Sequence, residues 1–157
     1  MSRKVIAGVI IAVFIIGLLI ISQISFLTVR TDDETVYYTP ILRENREVIY
    51  QYTHSVEQGP VREYFRISRD GFTLYRTSFT SQGAGLPLDR GVFEKEDNVF
   101  VRSGLDDRYS SLSFRLSHRF EEQFIELGDK EFKMSDWGDP GDVLRFEINS
   151  LTDLLGL

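Results

Sequence analysis

The sequence predicts an all-β chain: a single antiparallel β-sandwich or barrel-like domain, preceded by one N-terminal transmembrane helix. Three observations carry this. From Val5 to Ile21, seventeen consecutive residues lack a polar side chain. Beyond residue 39, apolar residues recur with a period close to two, the spacing of strands rather than helices. Gly, Pro, Asp and Asn clusters interrupt that pattern every few residues, as turns do. The implied organisation is a cytoplasmic end at 1–4, a transmembrane signal anchor at 5–27, a tether at 28–38 and an extracytoplasmic all-β domain at 39–157. A chain of 157 residues is the right size for one such domain.

The leader begins with Arg3 and Lys4. The apolar run follows, and Ser22–Leu27 extends it. A helix crossing the ~30 Å hydrocarbon layer needs about 20 residues, and Val5–Leu27 supplies 23. A cleaved signal peptide has a shorter core and small residues at its cleavage site, and Ser22–Thr28 offers no good pair of these. A retained anchor is therefore expected. Arg3 and Lys4 lie on one side and Asp32, Asp33 and Glu34 on the other, so the N-terminus should be cytoplasmic and the domain extracytoplasmic. The localisation implied is a single-pass protein of the cell membrane.

Charge and composition exclude several functions. The first thirty residues hold three of the 18 basic residues and none of the 24 acidic ones, leaving 15 against 24 and a net charge of −9. A surface that acidic is a poor match for nucleic-acid phosphates. The absence of cysteine rules out disulfides, thiol nucleophiles and thiolate zinc sites. No cofactor is implied.

The strands can be placed in order. Glu47–Val56 puts Val48, Tyr50, Tyr52, His54 and Val56 on one face. Glu57–Pro60 is a turn by composition. Val61–Arg69 follows, with Val61, Glu63, Phe65 and Ile67 on one face. Asp70-Gly71 is a favoured hairpin dipeptide leading into Phe72–Phe79. A long loop, Thr80–Gly91, precedes shorter strands at Val92–Lys95 and Val99–Arg102. Ser111–Phe120 is longer, with Leu112, Phe114, Leu116, His118 and Phe120 on one face. Gln123–Leu127, Glu131–Met134 and Val143–Ile148 complete the set. Leu151–Leu157 reads as a last strand or a helical turn.

Two polar groups fall where apolar ones are expected. A turn centred between Gln58 and Gly59 would set His54 opposite Glu63, both on apolar faces. Cross-strand partners have Cβ atoms roughly 4.5–5.5 Å apart, and a buried charge needs a partner. His54 and Glu63 therefore read as a structural pair that pins the register, or as a ligand- or partner-contacting site. His118 is the second anomaly. Two histidines and a glutamate suit a metal only if their strands converge, and a core histidine bonded to backbone is the plainer reading. No nucleophile accompanies His54, because Ser55 points to the opposite face, and no G-x-S-x-G, H-E-x-x-H or P-loop is present. Neither a catalytic residue nor a metal site is assigned.

The loop Gly83-Ala84-Gly85-Leu86-Pro87 could present backbone N–H groups to an anion or simply turn a tight corner. Trp137 reads as an exposed contact or a lid on the core. Asp136, Asp139 and Asp142 invite comparison with calcium loops, but the spacing is not that of an EF-hand.

The segments Tyr52-x-His54-Ser55-Val56, Val61-x-Glu63-x-Phe65 and Thr77-x-Phe79-x-Ser81-x-Gly83-Ala84-Gly85-Leu86-Pro87 together resemble the signature of a small uncharacterised domain family. The likeness spans nearly the whole soluble part, with its specific motifs in Tyr52–Pro87. Members of that family are short membrane-anchored extracytoplasmic proteins associated with TAXI-type TRAP transporters, which use a solute-binding protein and a membrane permease. The resemblance implies an association with solute uptake and assigns no catalytic residue. It marks His54, Glu63, Gly83, Ala84, Gly85, Leu86 and Pro87 as candidate ligand- or partner-binding positions. The function expected is a non-enzymatic accessory protein contacting the TRAP permease or the TAXI solute-binding protein. The alternative is a small-ligand-binding or hydrolytic β domain that uses His54 and Glu63.

Overall fold

The computed structural model describes residues 3–21, 24–41, 47–54, 58–80, 91–117 and 123–155. Helix α1 (Arg3–Ile21) leads, followed by β1 (Ser25–Arg30) and β2 (Thr35–Pro40). Strands β3 (Glu47–Thr53), β4 (Pro60–Ser68), β5 (Gly71–Phe79), β6 (Val92–Glu96) and β7 (Val99–Tyr109) come next. Then come β8 (Ser111–Arg115), β9 (Phe124–Leu127), β10 (Lys130–Lys133), a 3-10 turn at Met134–Asp136, β11 (Val143–Ser150) and the short helix α2 (Leu151–Leu155).

The strands form two antiparallel sheets in a sandwich-like arrangement. The smaller has the order β2-β1-β11-β8 and the larger β10-β9-β3-β4-β5-β7-β6. Their inner faces share one core. Leu27, Val29, Leu112, Leu144 and Phe146 come from the small sheet, and Val48, Phe65, Phe72, Ile125 and Leu127 from the large one. Each such side chain contributes roughly 1.5–3 kcal/mol on burial. Trp137 settles as a lid on this core, its ring 5.4 Å from Tyr37 and 5.2 Å from Phe132.

The leader differs from expectation. Helix α1 is described over Arg3–Ile21, and Phe26 and Leu27 belong to β1, where Leu27 is 1% exposed. Among the described residues no helix is long and apolar enough to cross a membrane. The expected tether at 28–38 is likewise replaced by structure, since it supplies half of β1, the turn at 31–34 and most of β2. Thr31 closes that turn by donating its backbone N–H to Glu34 O at 2.9 Å. An apolar run shared between helix and core strand gives no internal signal of where one ends.

Most of the later strands lie where the alternation places them, with shifted ends. β7 runs on to Tyr109, and β8 is described only to Arg115. The hairpin at Asp70-Gly71 forms as expected, with Gly71 at φ +126° and the carbonyl oxygen of Tyr109 only 2.1 Å from where a Cβ would sit. The segment after β11 is helical.

One irregularity sets the faces of the large sheet. The β4–β5 register shifts between Tyr64 and Phe65, and the β5–β7 register shifts between Leu74 and Arg76. Tyr75 is the extra residue on β5, while Gly104, Leu105 and Asp106 lie between Ser103 and Asp107 on β7. Gly104 takes a left-handed φ of +73° there. The bulge switches side-chain parity, so Phe72 and Leu74 pack inward before it and Thr77 and Phe79 after it.

Candidate functional site

The β3–β4 hairpin decides what faces Glu63. Its closing pair is centred two residues nearer the N-terminus than the composition suggests. His54 and Gly59 are the closing pair, with His54 N donating to Gly59 O at 2.9 Å and Gln58 N to His54 O at 2.9 Å. Gln58 turns the chain at φ +53°. The register that follows places Tyr50, not His54, opposite Glu63, and Tyr52 opposite Val61. The expected His54–Glu63 pair is therefore corrected: four residues of β-strand, about 13 Å at ~3.3 Å each, separate His54 from the position across from Glu63.

The pairing continues across four strands. Tyr50 faces Glu63, Glu63 faces Thr77, and Thr77 faces Arg102. One row along, Tyr52, Val61, Phe79 and Phe100 are aligned in the same way. The motif residues of three separate strands thus become neighbours on the inner face of the large sheet. His54 lies at the hairpin turn beyond them. Gly83–Pro87 and His118 lie outside the described residues.

Glu63 is the chemical centre of this patch. Burial pushes its carboxyl above the ordinary carboxylate range, and the Arg102 guanidinium partly opposes that shift. Burial also pushes the Tyr50 phenol up to about 12, against a hydrogen bond from Gln123, and the Tyr52 phenol up to about 12, with Glu63 adding to both. Tyr109, raised first by burial and then by Asp107 and Glu63, closes the patch from β7. Phe114 of β8 lies 4.1 Å from Tyr50 and 6.4 Å from Phe65, centroid to centroid. The small sheet thus covers β3 and β4, while Tyr109 remains 42% exposed beyond its edge. A carboxyl held above its ordinary range, a guanidinium and three phenols can recognise a polar group by hydrogen bonding.

Sequence reasoning found Glu63 but missed Arg102, Asp107, Tyr109 and the role of Tyr50. Val99–Arg102 was placed as a short strand with no face assigned, and Phe100 and Arg102 share the face of Phe79 and Thr77. The one available signal was Phe100, whose ring stacks on Phe79 at 5.8 Å.

The described cavities lie elsewhere. One of about 460 Å³ is lined by the 31–34 turn and the 135–142 loop, including Asp32, Asp33, Glu34, Asp136, Asp139 and Asp142. Asp142 Oδ2 accepts the Asp139 N–H at 2.8 Å, so part of this acidity organises the loop. Among the described residues no group of three His, Cys, Asp or Glu side chains is placed to hold a metal ion. A second cavity, of about 630 Å³, opens on the outer face beside Glu47 and Glu126. There Glu126 pairs with Arg62, and Glu47 accepts from the Tyr75 hydroxyl.

A family model described as a domain of unknown function, DUF1850, matches residues 48–134, more than half of the chain. The chain belongs to the DUF1850 family. The DUF1850 region holds the whole large sheet and β8, and with them every member of the Glu63 patch. It leaves out β1, β2 and β11, three of the four strands of the small sheet. No curated protein and no solved structure matches the chain.

Proposed function

We propose that this chain is a non-enzymatic, membrane-anchored accessory protein of TAXI-type TRAP solute uptake, whose β domain contacts the permease or its solute-binding protein outside the cytoplasm. The observation that carries the reading is the union of α1 with the domain. An apolar helix ends at Ile21 and the first core strand begins at Ser25. At 19 residues and ~1.5 Å per residue the helix is about 28 Å long, slightly short of the ~30 Å layer. Local thinning of the bilayer accommodates a shortfall of that size. Holding the domain at the surface raises its effective concentration toward a membrane partner, so weak contacts suffice. The choice of a TRAP permease or TAXI solute-binding protein as that partner is supported by the motif resemblance alone.

Purification of the full chain from native membranes after mild crosslinking tests this. Recovery of the permease or the solute-binding protein is the expected result. Recovery of neither, with uptake unchanged in a deletion strain, overturns it.

A second reading is favoured by one observation, the half-buried Glu63 beside Arg102 and three tyrosines. It makes the inner-face patch a small-ligand site, with His54 no longer its partner. Ligand-dependent protection of Tyr109 from chemical modification would favour it over the accessory reading.

A further inference from the structure

We infer that the domain edge carrying Ile24, Ile41, Leu151 and Leu154 rests on the lipid surface, at the boundary between headgroups and acyl chains. The inference depends on the anchor reading above and adds which face of the domain meets the bilayer.

Three segments meet at this edge. Residues 22–24 join α1 to β1, and four steps of at most ~3.6 Å keep Ser25 within about 14 Å of the helix end. Ser25 is the register partner of Ser150, the residue before α2. Ile41 donates its backbone N–H to Ser25 O at 2.9 Å. The edge nearest the end of α1 is therefore the edge that carries α2.

Its exposed side chains are apolar apart from Asp153. Ile24 is 37% and Leu154 39% exposed, with Ile41 and Leu151 half-buried beside them. The turn that presents Leu154 is fixed by reciprocal capping. Asp153 Oδ2 accepts from Ser150 N at 2.9 Å and from Ser150 Oγ at 2.6 Å, while Asp153 N donates to Ser150 Oγ at 3.2 Å. This is a capping box in arrangement. It directs the one carboxylate of α2 back onto its own backbone.

The far end of the same strands has the opposite character. β1 runs from Ser25 to Arg30, and β11 begins there at Val143, beside the six-carboxylate groove. Six residues of strand set that groove about 20 Å away. Anionic headgroups repel it, so electrostatics and apolar exposure favour the same orientation.

The chain contains no cysteine, so single cysteines can be introduced cleanly. Full-length Leu154→Cys and Asp33→Cys chains are labelled with an environment-sensitive fluorophore and reconstituted into vesicles of zwitterionic and anionic phospholipid. Co-flotation with the vesicles reports the anchor. Quenching by lipids spin-labelled near the headgroup reports the contact. The expected result is co-flotation with several-fold stronger quenching at position 154 than at 33. Co-flotation with equal, weak quenching at both positions overturns the inference and leaves the anchor standing. Failure to float overturns both.

Discussion

Glu63 lies directly across from Tyr50 in the β3–β4 hairpin. This places an ionisable carboxyl among phenol rings rather than beside the imidazole of His54. It also makes the two polar residues of the motif energetically separate. His54→Ala and Glu63→Gln should combine additively, within about 0.3–0.5 kcal/mol, as sites more than ~7–10 Å apart do. A double-mutant cycle by denaturant unfolding measures this. Coupling well above that range would contradict the register.

The pH dependence of stability should carry the mark of Glu63. Its carboxyl keeps its proton to higher pH in the folded chain than its ordinary value of 4.5 allows. Between those two values the folded state binds more protons than the unfolded state, so stability falls as pH rises through the window. Glu63→Gln abolishes this titration. The stability of the variant relative to the parent should therefore improve as pH rises above the ordinary value of 4.5 and level off once the folded carboxyl is also ionised. Unfolding midpoints across that range provide the check, and parallel curves would refute it.

Gln123 joins the two sheets through its amide. Nε2 donates to Tyr50 Oη at 2.8 Å and to Arg115 O at 3.1 Å, and Oε1 accepts the Ser117 N–H at 2.8 Å. Gln123→Leu leaves several buried groups unmatched and should cost about 1–3 kcal/mol. Tyr50→Phe removes only one of these bonds and should cost about 0.5–1.5 kcal/mol. Thermal or chemical denaturation separates the two effects.

The DUF1850 boundaries do not coincide with a folding unit. A fragment of residues 48–134 would expose the inner faces of β3, β4 and β9, which Leu27, Val29, Leu144 and Phe146 cover in the whole chain. It should lack a cooperative unfolding transition, whereas residues 24–157 should show one. Calorimetry on the two fragments decides the point.

The sequence displays the faces of these strands more clearly than their neighbours. The expected register of the first hairpin pairs residues that sum to 117, and the observed register pairs residues that sum to 113, as in Tyr50 and Glu63. Both sums are odd. Alternation is blind to a shift by an even number of residues, so Glu63 is read on the inner face while its partner is missed. The turn residue responsible, Gln58, holds a left-handed conformation usually left to glycine or asparagine. β1 was hidden for a different reason, because it continues the apolar run of the leader without a break. Arg102 was hidden because its strand has buried residues on both faces, Val101 on one and Arg102 on the other.

The bulge at Tyr75 gives β5 two side-chain frames in series. Drawing Tyr75 into regular pairing, with no residue lost, would act on the strand as a frameshift acts on a message. Arg76 and Ser78 would turn toward the core, and Thr77 and Phe79 away from it, whereas loss of Tyr75 itself would leave Thr77 and Phe79 inward and pass the mismatch to β7. The partner strand holds the matching irregularity between Ser103 and Asp107, so the lengths of β5 and β7 are locked together. Relatives that differ in length at one of these places should differ at the other as well, and a chain that loses one residue from β5 should be restored by a change in β7 rather than by any substitution within the patch.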